Sequence, residues 1–140
     1  MRILLAAINA KYIHSNLAVY SLKSYAGSRL PDVDIQICEY TINQQIDRIL
    51  ADLYEKKPDM LCFSCYIWNI TCVREVLAEV KKVLPEVKIW LGGPEVSYNA
   101  VAFLKKYPQV DGIMKGEGEQ TFLELLQALR ENTSLTEILG

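Results

Sequence analysis

The stretch Lys88-Ile-Trp-Leu-Gly-Gly-Pro-Glu-Val-Ser97 reads as a buried strand that ends in two adjacent glycines and a proline. Without a Cβ at Gly92 or Gly93, a flat group or a phosphate can lie directly against the main chain. The same pair also serves a tight strand-to-helix turn. The glycines alone leave both readings open, so the decision falls to the segments on either side.

Upstream, Met60 to Cys65 is a second apolar strand, followed by the loop Tyr66-Ile-Trp68-Asn69 and a helix over about 70–84 that stops before Pro85. Downstream, a helix over about 97–106 leads to a strand at 110–114. The loop Lys115-Gly-Glu-Gly-Glu119 then opens a helix over about 120–130, with Phe122, Leu123, Leu125, Leu126 and Leu129 facing in. At the start of the chain, Arg2 to Ile8 is a continuous apolar run of the kind covered on both faces in a parallel sheet. A polar loop, Asn9 to Asn16, holds the single histidine, His14, and precedes a helix that Gly27 is expected to end, with Leu17, Leu22, Tyr25 and Ala26 inward. Asp34 to Tyr40 alternates as a strand near a sheet edge. Thr41-Ile-Asn-Gln44 has a capping-box pattern before the stripe Ile42, Ile46, Ile49, Leu50 and Leu53.

Five strands alternating with five helices imply an α/β fold, a doubly wound parallel sheet with helices on both faces joined by right-handed crossovers. Of the two common orders, the flavodoxin-like 2-1-3-4-5 suits five strands, giving a Rossmann-like three-layer α/β/α domain. In that order the switch point lies between strands one and three. A ligand crevice therefore forms at the carboxyl ends of strands one, three and four, which carry His14, Ser64 to Asn69, and Gly92 to Glu95.

The 140 residues, 51% apolar, fit one domain with a core of its own. With 15 basic and 17 acidic residues the net charge is -2, which offers no footprint for nucleic acid or an anionic membrane. No apolar run is long enough to cross a bilayer, and the N-terminal run is too short for a signal sequence, so a reducing, cytoplasmic setting is expected. Cys62 and Cys65 have Cys-x-x-Cys spacing, but their side chains are expected on opposite faces of a strand. No second pair completes a metal site, and the four cysteines read as small core residues.

Nucleotide loops are absent: no Gly-x-x-x-x-Gly-Lys-Ser/Thr occurs, and no Gly-x-Gly-x-x-Gly follows strand one. The Gly116-Glu117-Gly118-Glu119 loop is acidic and suits a helix N-terminus better than a phosphate. A phosphoacceptor receiver would need an acidic cluster after strand one and an aspartate after strand three, where this chain has Ile8-Asn9 and Ser64-Cys65.

Four segments together, RILLAAINAKYIHSNLAVYSLK, FSCYIWN, LGGPEVS and VDGIMKGEGEQTFLELL, resemble the N-terminal cobalamin (B12)-binding domain of B12-dependent radical S-adenosylmethionine (SAM) proteins. That group includes the anaerobic magnesium-protoporphyrin IX monomethyl ester cyclase-like enzymes, and the likeness spans nearly the whole chain. It implies cobalamin as cofactor. The nucleotide tail is then expected beside the glycine turn, at Gly92, Gly93, Pro94 and Glu95, with Ser64 as a hydrogen-bonding partner. Tyr66, Trp68 and Asn69 are expected near the corrin, and His14, Gly116 and Glu117 complete the cofactor-binding set.

Corrinoid domains with a histidine ligand carry Asp-x-His-x-x-Gly, whereas this chain has Tyr12-Ile-His14-Ser-Asn-Leu17. The aspartate that would orient the ring is missing, which argues against His14 as a cobalt ligand. No Cys-x-x-x-Cys-x-x-Cys is present for a [4Fe-4S] cluster. Residues 1–132 are therefore expected to form a cobalamin-binding module that is not catalytic alone, and 133–140 the start of a linker to a radical SAM domain in cis, which would hold the cluster and SAM. The alternatives are a flavodoxin-like regulatory or interaction domain that binds no corrinoid and, with less support, a flavin mononucleotide domain.

Overall fold

The computed structural model describes residues 1–10, 17–115 and 118–131. Five strands, β1 (Arg2–Asn9), β2 (Asp34–Thr41), β3 (Met60–Ser64), β4 (Lys88–Gly92) and β5 (Gly112–Met114), form one all-parallel sheet in the order β2-β1-β3-β4-β5. The six helices are α1 (Leu17–Arg29), α2 (Ile46–Lys56), α3 (Ile70–Val83), α4 (Pro94–Ser97), α5 (Ala100–Lys106) and α6 (Gly118–Glu131).

Strand β1 shows why the sheet is covered on both sides. Leu4, Ala6 and Ile8 join the core formed with α2, α3 and α5, whereas Ile3, Leu5 and Ala7 join the core formed with α1 and α6. Side chains alternate across a strand, so an uninterrupted apolar run can be stable only between two apolar layers. The flavodoxin-like order and three-layer architecture read from the sequence are those of the structure.

Local signals were weaker than the sheet pattern at several boundaries. Gly27 does not end α1, which continues to Arg29 and closes with Leu30 N–H donating to Ala26 O ahead of Pro31. Proline supplies the stop because it has no N–H and restricts the residue before it. The Thr41–Gln44 pattern caps a turn instead of a helix. Thr41 N–H donates to Gln44 Oε1 at 2.8 Å, but α2 begins at Ile46, and Ile42 is exposed instead of joining the inner stripe. The single helix expected over 97–106 is two, with α4 starting at Pro94 directly after the glycine pair. A further glycine, Gly112, has a packing reason: a Cβ there would lie 2.3 Å from the indole of Trp90.

The edge strand β2 is tied to α2 by a polar cluster. Tyr40 Oη donates to Asp52 Oδ2 at 2.5 Å, and Lys56 Nζ lies 2.8 Å from both Asp52 oxygens. Partial burial acts to raise the Asp52 pKa, but the hydrogen bonds from Lys56 and Tyr40 outweigh it and hold the carboxyl below its ordinary value. A depressed carboxylate stabilises the fold above the unfolded pKa, about 3.9, and loses that contribution as pH falls through the lower folded value. Tyr40→Phe is expected to lower stability at neutral pH by about 1 kcal/mol. Urea unfolding at pH 7 and pH 3 checks this, the difference between variant and parent shrinking at the lower pH.

Candidate functional site

The carboxyl ends of β3 and β4 are joined by contacts between main chains. Cys65 N–H donates to Gly92 O at 2.7 Å, and Glu95 N–H donates to Cys65 O at 3.4 Å. Gly93 sits in this crossing at a φ of +103°, and a Cβ there would stand 2.3 Å from Cys65 O and 2.8 Å from Cys65 N. Both the conformation and the space exclude a side chain. Gly92 differs: a Cβ on it would meet one atom within 4 Å, Met114 O at 3.7 Å, an ordinary contact. Gly93 is thus glycine for the fold, whereas among the described residues no atom requires Gly92 to be one.

The space beside Gly92 is a cavity of about 450 Å³ between the sheet and helices α1 and α6, within the roughly 300–1,000 Å³ usual for ligand sites. Ser64, Gly92 and Met114 are register partners across β3, β4 and β5, and all three border it. Leu5 and Cys62 are paired two residues deeper on β1 and β3, and α1 contributes Val19 and Leu22. The first turn of α6 closes the other side with Gly118 and Glu119; a Cβ on Gly118 would touch Leu22 at 3.3 Å.

The residues singled out in the sequence divide into three groups. Ser64, Tyr66, Gly92, Gly93 and Pro94 border this cavity. Ser64 Oγ makes no hydrogen bond among the described residues, so its hydroxyl is available to a ligand. Trp68, Asn69 and Glu95 do not border the cavity. Trp68 stacks on Tyr66 with centroids 4.5 Å apart and planes 3° from parallel, and it lines a separate hollow with Ile42, Gln45 and Glu75. Asn69 is fully buried and fully used: its Oδ1 accepts from Tyr66 N–H at 2.8 Å, and its Nδ2 donates to Ile8 O at 3.0 Å and Ser64 O at 2.8 Å. It shapes the loop that carries Tyr66 and Trp68. Glu95 is half-buried, with its main chain on Cys65. His14, Gly116 and Glu117 lie outside the described residues.

Cys62 belongs to the α1/α6 core and Cys65 to the opposite core, so the two thiols face different layers. Burial pushes both pKa values up, that of Cys65 to about 12, which keeps them neutral at physiological pH. Among the described residues no cluster of histidine, cysteine or carboxylate groups could hold a metal ion, and no helix is long and apolar enough to cross a membrane.

The parallel sheet of this order carries its cavity on one face, beside a glycine that no atom of the described residues requires. The family model for the B12 binding domain matches residues 3–126. The chain belongs to the B12-binding domain family. TokK of Streptomyces tokunonensis, a cobalamin-dependent radical SAM methyltransferase, is 39% identical to this B12-binding domain over 85 residues, which is 60% of the chain and 12% of that protein. The anaerobic magnesium-protoporphyrin IX monomethyl ester cyclase of Rubrivivax gelatinosus is 28% identical over 91 residues, 65% of the chain and 16% of the cyclase. A solved structure of the cobalamin-dependent SAM radical enzyme OxsB, with aqua-cobalamin and SAM bound, shares the fold with a TM-score of 0.81 at 20% identity, over 99% of this chain and 20% of that one. The B12-binding domain therefore spans only 12–20% of the length of these relatives.

Motif reasoning missed the apolar walls, Leu5, Val19, Leu22 and Met114, and the carboxylate of Glu119 at the rim. These residues carry no motif, and only the sheet register together with the packing of α1 against α6 brings them together.

The two glycines are expected to respond differently to the same change. Gly92→Ala leaves stability within about 0.5 kcal/mol of the parent, whereas Gly93→Ala costs at least about 2 kcal/mol through positive φ and main-chain overlap. Chemical denaturation of the two variants measures the difference.

Proposed function

We propose that this chain holds cobalamin for a larger B12-dependent radical SAM enzyme, a methyltransferase or a cyclase-like enzyme, and does not catalyse alone. The observation that carries this reading is the position beside Gly92, where a side chain would enter the cavity and no atom of the described residues forbids one. A cofactor segment passing there explains why no side chain is present. The nucleotide tail of cobalamin fits the cavity: its phosphate and ribose need polar partners at the rim, and its lower base needs an apolar wall. Ser64 donates or accepts a hydrogen bond to the tail, and the corrin lies over the carboxyl ends of β1, β3 and β4 beside Tyr66 and Trp68. Bound cobalamin supplies a cobalt centre able to carry a methyl group.

Residues 1–132 form the cofactor module in this proposal and 133–140 begin a linker. The relatives named above are several times longer than this chain, and a radical SAM domain in cis would contribute the [4Fe-4S] cluster and SAM. A cytoplasmic location suits four buried, free cysteines. The stretch Tyr12-Ile-His14-Ser-Asn-Leu17 lacks the aspartate that would orient a ligating imidazole, so His14 is not assigned to the cobalt in this proposal.

Titration of the chain with hydroxocobalamin, followed by corrin absorption, is expected to saturate at micromolar cofactor. Gly92→Val, which fills the cavity without touching the Gly93 crossing, is expected to weaken binding at least about tenfold with folding retained. A flat titration of the folded parent would instead favour a flavodoxin-like interaction domain.

A further inference from the structure

The segments that follow β2 and β3 line a second hollow of about 410 Å³, on the α2/α3 side of the sheet. Ile42 and Trp68 give it apolar walls, and Gln45, Thr71 and Glu75 give it polar groups. Thr71 and Glu75 are four residues apart on α3 and so share one face of that helix. Both are exposed, as is Gln45 at the start of α2. Among the described residues none of these three side chains has a hydrogen bond or ion pair, and Glu75 is the one charged residue at the hollow. Gln44 is already committed, its Oε1 accepting from Thr41 N–H. The stacked pair Tyr66 and Trp68 bridges the two sites, Tyr66 bordering the cavity beside Gly92 and Trp68 bordering this hollow.

We propose that this hollow reads the amide fringe of the corrin, taking a primary amide side chain at the ring's edge and rejecting a carboxylate in its place. The inference rests on the corrin lying beside Tyr66 and Trp68, and it adds which peripheral group is recognised and by which residues. A primary amide donates through its NH2 group and accepts through its oxygen. The ionised Glu75 carboxylate accepts, the Thr71 hydroxyl donates, and the Gln45 amide does both, so together they complement both ends of such a group. An amide N–H on a carboxylate is a charge-assisted hydrogen bond, stronger than one between neutral groups. The methylene stem that carries the amide buries apolar area against Ile42 and Trp68. A carboxylate at the same position has no N–H to give and meets Glu75 as a like charge.

The test compares the dissociation constants of hydroxocobalamin and its b-, d- and e-monocarboxylic acids, in each of which one peripheral amide is hydrolysed. Binding to this chain is followed by corrin absorption at low ionic strength. At least one of the acids is expected to bind about fivefold more weakly than cobalamin, the gap shrinking as salt is added. Glu75→Gln is expected to close that gap while keeping cobalamin affinity within about threefold of the parent, because a glutamine oxygen still accepts the amide. Glu75→Lys is expected to reverse the preference. Glu79→Gln removes a charge from the same helix outside the hollow and is expected to leave the gap as it is in the parent. Equal affinity for cobalamin and all its acids would overturn the proposal while leaving the cofactor assignment standing. So would a gap that Glu75→Gln does not alter, or one that Glu79→Gln closes equally. Failure of cobalamin itself to bind would remove the cofactor assignment, and this inference with it.

Discussion

The contact on which the site depends is the crossing of two main chains, Gly93 against Cys65. Strands β3 and β4 are neighbours in the sheet, and their exits would diverge into separate loops unless something joined them. Cys65 N–H on Gly92 O extends the ladder by one rung, and Glu95 N–H on Cys65 O turns the chain into α4. A backbone pair this close is possible only if one residue lacks a Cβ and can take a positive φ. With the crossing in place, the preceding residue, Gly92, is fixed on the same sheet face as Ser64 and Met114, facing the cavity.

The rest of the site is set by layering. Because β1 is buried on both faces, α1 and α6 pack on the face opposite α2, α3 and α5, and the cavity opens where the first turns of α1 and α6 lie beside the carboxyl ends of the strands. Asn69 supports this from within: one amide links Ile8 at the end of β1, Ser64 at the end of β3 and Tyr66 in the loop beyond. A single buried, fully bonded side chain therefore sets the rim on which Tyr66 and Trp68 stack. The rim carries polar groups because it is made of loop and helix-start residues, and the floor is apolar because it is made of core residues, Leu5, Val19 and Cys62.

Strand order and layer assignment were legible in the sequence because they follow from long apolar patterns, of which Arg2 to Ile8 is the clearest. The crevice residues Ser64, Tyr66 and Gly92 followed from the switch-point rule, which needs only the order of the strands. What could not be read were the contacts made across the chain. Asn69 looked like a loop residue available to a cofactor, yet its partner Ile8 O lies 61 residues away and takes up its amide. The glycine pair looked like one device and is two, since the neighbour that forbids a side chain at Gly93 comes from another strand's exit. Gly27 and Thr41–Gln44 misled for the opposite reason: their local preferences are worth less than the packing of α1 and α2.

The central claim is that the space beside Gly92, between the sheet and helices α1 and α6, holds the nucleotide tail of cobalamin. Nuclear Overhauser contacts between the lower-base protons of bound, diamagnetic Co(III) cobalamin and the protein methyl groups test it directly. The account predicts contacts from the base to the methyls of Leu22 and Met114, with none to Ile42 beside Trp68. Base protons with no contact to Leu22 or Met114 in a saturated complex would contradict it.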